Sequence, residues 1–479
     1  MRREIFVGRE KEQEILRKAL HSYEAEMVAV IGRRRIGKTY LIKETYKDHI
    51  SFEITGLQNA PLDEQLDNFI YQMIRAFDIK QFKPKPKSWL KAFMLLIDHL
   101  ETLDFSTKKV VFLDELSWLA TPKSGFLRAF GFFWNSWAVN KNIVVVICGS
   151  AASWMIQKVV NHRGGLHNRI TKLISLKPFT LGETQQYLEA RNIYFSRYQI
   201  VQLYMALGGV PHYLKEVEGT KSAIQNIDAI CFSETGLLRD EFQRLYTSLF
   251  DNAEKHISII RALAKSRQGL TRGSIIQATK VLENGNLSKV LDELVQSGFI
   301  AVNQPFGKKK KGSLYRLTDE YSLFYLQFIE NHQQDGANTW HHLSQTQQFK
   351  TWSGYAYENI CFAHIAEIKS TLGISGIYSV SSSFYKKGTT DQRGTQIDLL
   401  IDRNDHSINL IEVKFYNESF ALTKNDAEAL REKMGIFRQA TKTKKHLSWV
   451  MITTFGLQHN QHSLGLIQNI ITLDDLFST

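Results

Sequence analysis

The sequence predicts an α/β protein of several domains, the first built on a parallel sheet that carries a phosphate-binding loop. Three observations predict it. Residues 32–39 read Gly-Arg-Arg-Arg-Ile-Gly-Lys-Thr, directly after the apolar run 27–31 and before a helical stretch over 40–46. Residues 109–115, Lys-Val-Val-Phe-Leu-Asp-Glu, form a second apolar strand that ends in two carboxylates. A third buried strand over 142–148 ends in Gly149-Ser150. Apolar strands that alternate with helical patterns argue for a parallel sheet covered on both faces.

The loop residues have a definite chemistry. Gly32 and Gly37 let the backbone bend and approach a ligand closely, so that Arg33, Arg34, Arg35, Ile36, Lys38, Thr39 and Tyr40 wrap phosphate oxygens at a helix amino terminus. Lys38 is placed to reach β- and γ-phosphates, and Thr39 offers its hydroxyl to Mg²⁺. Asp114 fits the acid that holds the metal's water shell, and Glu115 fits the base that orients an attacking water. Ser150, at the third strand tip, is placed to sense the γ-phosphate. A bland glycine-lysine turn accounts for the loop alone, not for the ordered set. The expected ligands are ATP and Mg²⁺.

A chain of 479 residues is long enough for about three domains. Its 43% hydrophobic and 23% charged residues are the balance of a globular protein. No apolar run approaches the roughly 20 residues of a membrane span, and the opening residues lack the apolar core of a signal peptide. Cys148, Cys231 and Cys361 have no metal-ligand spacing and read as buried thiols in a reducing cytoplasm. The net charge of +12 implies affinity for polyanions. Lysines cluster at 83–87, at 308–311, and at Lys442, Lys444 and Lys445, either as phosphate contacts or as solvated loops.

In chain order, residues 1–175 are expected to form the nucleotide-binding core, opened by Phe6-Val7-Gly8-Arg9-Glu10 and an amphipathic helix over 10–23. Residues 176–249 read as a helical lid, with helices over 182–191 and 198–207 and then Gly208-Gly209-Val210-Pro211. Residues 250–330 carry three helices (254–266, 271–278, 286–297) and two strands (299–303, 313–317) around the lysine run, the pattern of a winged helix. If it reads DNA, its third helix offers Asn286, Ser288 and Lys289, and the wing tip suits phosphates. The alternative is that it only links or packs against its neighbours. A helical connector over 321–331 and a polar stretch to about 349 lead into a fourth domain, 340–479.

That last domain holds a second set of acids. Residues 395–401 read Thr-Gln-Ile-Asp-Leu-Leu-Ile, and after an expected turn over 402–409 comes Leu-Ile-Glu-Val-Lys-Phe. Strand periodicity puts Glu412 and Lys414 on one face and Val413 on the other. An expected helix over 355–368 brings Glu358 towards Asp398. Glu358, Asp398 and Glu412 as metal ligands, with Lys414 positioning or activating water, make a Mg²⁺-dependent phosphodiesterase site. Salt-bridged strand residues are the competing account. Asp398 weighs against it, because an acid beside Leu399-Leu400 lies near a core and needs a partner.

With both sets in view, the chain resembles prokaryotic P-loop ATPases of the archaeal-type AAA+/STAND group whose carboxyl-terminal domain is related to restriction-endonuclease-like (PD-(D/E)XK) nucleases. The resemblance spans nearly the whole chain. It rests on residues 6–10, 32–39, 113–115, 148–150 and 208–214, the winged-helix pattern, and 354–358 leading to Asp398, Glu412 and Lys414. It implies a P-loop parallel sheet with helical lid, a winged helix and a carboxyl-terminal α/β nuclease-like domain. It also implies adenine recognition by the opening motif, and a γ-phosphate contact from Arg169. Ile397 stands where many such nucleases have proline, which weakens the case for cleavage. The expected function is ATP binding and hydrolysis coupled to a nuclease-like domain acting on nucleic acid, DNA ahead of RNA, in the cytoplasm and away from membranes. A homo-oligomer is left open. The alternative is an ATP-dependent signalling or scaffold switch whose nuclease-like domain is inactive and binds partners.

Overall fold

The computed structural model describes residues 6–79, 84–160, 166, 168–250, 252–280, 285–308, 312–332, 336, 338–388 and 394–478. The chain divides into two compact units: residues 1–177 with 248–251 and 292–298, and residues 178–247, 252–291 and 299–479.

The first unit is built on β1 (Glu26–Ile31), β2 (Ile50–Thr55), β3 (Lys109–Asp114), β4 (Ile143–Gly149) and β5 (Lys172–Ser175). Their order is β2-β3-β4-β1-β5 and every pairing is parallel. β1 is buried along its whole length, and alternate residues feed opposite cores, as the two-residue period of a strand requires. Met27, Ala29 and Ile31 join Phe69, Trp89, Phe93 and Phe130 on one face. Val28 and Val30 join Leu16, Leu41 and Ile42 on the other. The helix after the phosphate loop begins at Lys38, two residues before the expected start, and the first helix ends at Leu20.

In the second unit, helices Leu181–Ala190 and Arg197–Leu207 lie where the sequence puts them. Gly209 follows. A Cβ there would meet the Phe179 carbonyl oxygen at 2.0 Å, so only glycine permits the 2.6 Å hydrogen bond from Phe179 N–H to Gly209 O. Helices Ala253–Ala264, Arg272–Thr279 and Gly285–Gln296, the last with its residues from 292 counted in the first unit, precede the antiparallel pair β6 (Ile300–Asn303) and β7 (Leu314–Leu317). Asn286 and Lys289 are exposed, and Ser288 accepts a 2.7 Å hydrogen bond from Arg272. Lys83 and three lysines of the 308–311 run lie outside the described residues.

The remaining strands are β8 (Ser379–Lys386), β9 (Thr395–Arg403), β10 (Ser407–Lys414), β11 (Phe420–Ala421), β12 (His446–Thr453), β13 (Leu457–Gln458) and β14 (Ile467–Ile471). Five of them form a mixed sheet in the order β14-β12-β10-β9-β8. β8, β9 and β10 are antiparallel, while β10, β12 and β14 are parallel. The Lys424–Thr441 helix, opened by a Thr423–Asp426 capping box, packs Ala427, Leu430 and Phe437 on this sheet.

Three elements differ from expectation. The turn expected over 402–409 shrinks to 404–406, because Asn409 sits inside the sheet with its amide bonded to Ser448 Oγ at 3.0 Å. The polar stretch to about 349 holds a helix that was not expected: Thr339–Leu343 buries Trp340 among Phe232, Phe324, Phe328 and Phe349. The expected helix over 355–368 is two helices, Gln347–Ala363 and Ile365–Thr371, broken at His364. His364 is buried, and its Nε2 accepts the Leu181 N–H at 2.9 Å. Within the second unit, ring contacts such as Phe306–Phe437 and Phe324–Trp352 join segments distant in the chain. Among the described residues no helix is long and apolar enough to cross a membrane.

Candidate functional sites

The first site gathers at the carboxyl ends of β1, β3 and β4. Gly32 leaves β1 beneath Leu176. A Cβ on it would meet the Leu176 carbonyl oxygen at 2.5 Å and the Ile36 side chain at 2.6 Å. Arg35 and Gly37 take positive φ, 73° and 90°, and curl the loop onto the helix that starts at Lys38. Lys38 is buried, and its ammonium donates to the Arg33 carbonyl at 3.0 Å. Thr39 Oγ1 donates to Asp114 Oδ2 at 2.8 Å, and Asp114 Oδ1 accepts the Glu115 N–H at 2.9 Å. Glu115 Oε2 in turn accepts from Ser150 N at 3.0 Å and Ser150 Oγ at 2.9 Å. The sheet order explains the convergence: β4 lies between β1 and β3, so the strand carrying Ser150 separates the loop from the acids and touches Glu115.

The remaining loop residues surround this core. Arg33 and Ile36 are buried, Arg34 and Arg35 are half-buried, and Tyr40 is exposed. Two contacts escaped the sequence reading. Arg9 reaches the Ile36 carbonyl at 3.4 Å, and the Phe6 ring lies 5.6 Å from the Tyr40 ring. The opening motif thus folds against the phosphate loop, and its arginine carries the only local signal. Arg169 is exposed. The donor set suits Mg²⁺, since a threonine hydroxyl and a carboxylate are hard oxygen ligands already held together.

The second site lies in a cavity of about 420 Å³ in the second unit, lined by Glu358, Asp398, Glu412, Lys414, Lys433 and Arg267 among others. The β9–β10 register pairs Ile411 with Leu399, and one step further places Asp398 opposite Glu412. Both are buried, as is Glu358 on the Gln347–Ala363 helix. Glu412 is clasped by Lys414 at 3.1 Å and Lys433 at 2.7 Å. Asp398 accepts from Gln396 Nε2 at 2.9 Å and lies 3.6 Å from Arg267. Arg267 forms an ion pair with Glu358 and stacks on Tyr355, its guanidinium carbon 4.0 Å from the ring centre.

These partners divide the charge unequally. Burial pushes the Glu412 carboxyl up, but Lys433 and Lys414 outweigh it and hold it below its ordinary value. Asp398 is raised by burial and then by the facing Glu412 charge. Burial, reinforced by Asp398, lifts Glu358 from 4.5 to about 7 against the pull of Arg267. The three acids named by the sequence therefore share one cavity with Lys414, yet Glu358 turns to Arg267. Among the described residues no three His, Cys, Asp or Glu side chains converge as a metal-binding group. What fits a hard cation is the opposed pair Asp398 and Glu412, since Mg²⁺ is commonly held by one or two carboxylates plus substrate phosphate. Lys433 and Arg267 were missed. Lys433 had a signal, because Ala429, Glu432, Lys433 and Ile436 recur at helical spacing and line the cavity. Arg267 had none, standing 91 residues from Glu358.

Comparison with known proteins accords with the first site. Residues 6–217 match the family of ATPase domains found predominantly in Archaea. An uncharacterised protein of Methanocaldococcus jannaschii is 22% identical over 422 residues, covering 86% of this chain and 88% of its own. A Walker-type ATPase of Pyrococcus abyssi is similar in structure at a TM-score of 0.48 and 18% identity, over 68% of this chain and 97% of that one. The ORC2 protein of Aeropyrum pernix matches at a TM-score of 0.41 and 18% identity, over 70% and 95%. The chain carries an archaeal-type P-loop ATPase domain and is an ATP-hydrolysing enzyme.

Proposed function

We propose that the chain couples ATP hydrolysis in its first unit to a Mg²⁺-dependent phosphodiesterase in its second, acting on DNA. In the first unit Lys38 neutralises the β- and γ-phosphates, and Mg²⁺ would be held by Thr39 and, through its water shell, by Asp114. Glu115 accepts the proton of the attacking water once it leaves Ser150, whose two hydrogen bonds restrain it. Ser150, released, is a donor beside the γ-phosphate.

One observation carries the phosphodiesterase reading: Asp398 and Glu412 face each other on β9 and β10, with Lys414 at the same cavity. Bound there, a metal ion would neutralise charge developing on the phosphate. Lys414 holds the attacking water or the phosphate oxygen. Lys433 and Arg267, now paired with acids, are cations that can pass to phosphate. Basic side chains and a net charge of +12 favour a polyanionic substrate. The test is cleavage of DNA by the full chain with Mn²⁺ or Mg²⁺, beside Mn²⁺ binding. Asp398→Ala should abolish cleavage and the Mn²⁺ binding of the second site, leaving that of the phosphate loop.

A second reading has its own observation. Each acid already faces a basic side chain, so the cavity is electrically closed without metal. The second unit would then bind partners without cutting, as a switch driven by ATP. Mn²⁺ binding that is the same in the native chain and in Asp398→Ala, with no cleavage, would select it.

A further inference from the structure

A second cavity, of about 410 Å³, adjoins the carboxylate cavity, and Arg267 lines both. Its walls come from the end of the Ala253–Ala264 helix, from β7, from the 320–330 segment and from the Gln347–Ala363 helix. It combines cationic side chains, Lys265, Arg267 and Arg316, with the apolar Leu323, Leu326 and Trp352. Two features mark it as more than a packing gap. The 325–329 segment on its wall is a π-helical turn, closed by a 2.9 Å hydrogen bond from Glu330 N–H to Tyr325 O. Such turns are rare and often stand at functional sites. Asn359, 8% exposed and also on the wall, reaches the Leu317 carbonyl at 3.5 Å through Nδ2, while its Oδ1 is buried with no hydrogen-bond partner. An unsatisfied buried acceptor is destabilising unless a ligand donates to it.

We propose that this cavity binds one unpaired nucleotide of the DNA strand, next to the phosphate held at Asp398 and Glu412. The inference rests on the phosphodiesterase reading for its neighbour, but the nucleotide site is measurable without cleavage. The volume suits one nucleotide, within the roughly 300–1,000 Å³ of small-ligand pockets. A base in a duplex has its Watson–Crick edge occupied, whereas an unpaired base turns an N–H donor to Asn359 Oδ1. Leu323 and Leu326 flank the ring, and Lys265 and Arg316 meet the phosphate. Arg267, shared by both cavities, then bridges the bound nucleotide and the scissile phosphate. The preferred substrate is therefore a single-stranded or frayed segment, not an intact duplex.

The test uses the full chain with one equivalent of ADP, which fills the phosphate loop without excess nucleotide, and thymidine monophosphate as probe. Saturable binding is expected, competed by a single-stranded oligonucleotide and not by a blunt duplex of the same sequence. Asn359→Leu should weaken probe binding at least tenfold while leaving the melting temperature equal or higher, because it removes an orphaned acceptor. Leu326→Trp fills the cavity without deleting a polar contact and should abolish binding. Unimpaired probe binding in both variants, equal competition by duplex, or no binding at millimolar probe overturns the inference whatever the cleavage assay shows. Probe binding lost in Leu326→Trp, with no metal-dependent cleavage by any form, fells the phosphodiesterase reading and leaves the nucleotide site.

Discussion

Replacing Glu358 by glutamine should flatten the dependence of stability on pH. The carboxyl is buried beside Asp398, and burial lifts it from 4.5 to about 7 despite the ion pair with Arg267. A folded-state value above the unfolded one means that the folded chain holds the proton more tightly. The stabilisation is thus fully present below about 4.5 and lost as pH rises through 7. That rise corresponds to about 3 kcal/mol. Glutamine is nearly isosteric and never ionises, so this contribution vanishes from the variant. Denaturant unfolding of both proteins from pH 4.5 to 8.5 reads the effect as a difference curve. The stability of the native protein minus that of Glu358→Gln should fall by about 3 kcal/mol across the range and level off above pH 8. Parallel curves would refute the argument, for they would mean that Arg267 fully compensates the charge.

Other outcomes follow from the two sites. Lys38→Ala removes the buried ammonium of the phosphate loop, and ATP turnover should fall at least tenfold, about 1.4 kcal/mol in the barrier; steady-state phosphate release measures it. Glu115→Gln should keep nucleotide affinity and slow turnover, seen as ATP retained after rapid gel filtration. Lys433→Met leaves Glu412 with Lys414 alone, at 3.1 Å, and should cost about 2 kcal/mol, less than the roughly 3–5 kcal/mol of stripping a buried charge of its partner. Glu412 sits below its ordinary value, so its stabilisation is present above that value and lost as pH falls through the folded one. Losing Lys433 raises the folded value, and the acid-unfolding midpoint should move to higher pH.

The legible parts of this chain are those in which local pattern and tertiary role coincide. β1 reads as a buried strand because each of its faces meets a helix layer, and Gly32 to Thr39 reads as a phosphate loop because strand, turn and helix are contiguous. Asp398 and Glu412 were legible for the same reason: a short hairpin brings them opposite each other, and alternation alone assigns their face. Trp340 shows the limit. Its neighbours read only as a polar stretch, yet four aromatic rings bury it within a helix. Polar periodicity carries no information about rings far away in the chain.

The charge balance of the second site was hidden for a related reason. Three acids near a core need compensation, and the sequence offers Lys414 as the obvious cation two residues from Glu412. One lysine cannot neutralise three carboxylates. The missing cations had to come from elements with no sequence proximity, and they do: Lys433 from the following helix and Arg267 from the turn after the Ala253–Ala264 helix. The choice of arginine there follows from geometry. A planar guanidinium can stack on Tyr355 while pairing with Glu358 and approaching Asp398, which a lysine ammonium cannot do at once. The same planarity suits it to exchange a carboxylate for a phosphate. Arg267→Lys should therefore preserve the charge and still impair both DNA binding and the pH profile set by Glu358. If lysine restores both, the stack on Tyr355 has no part in the site.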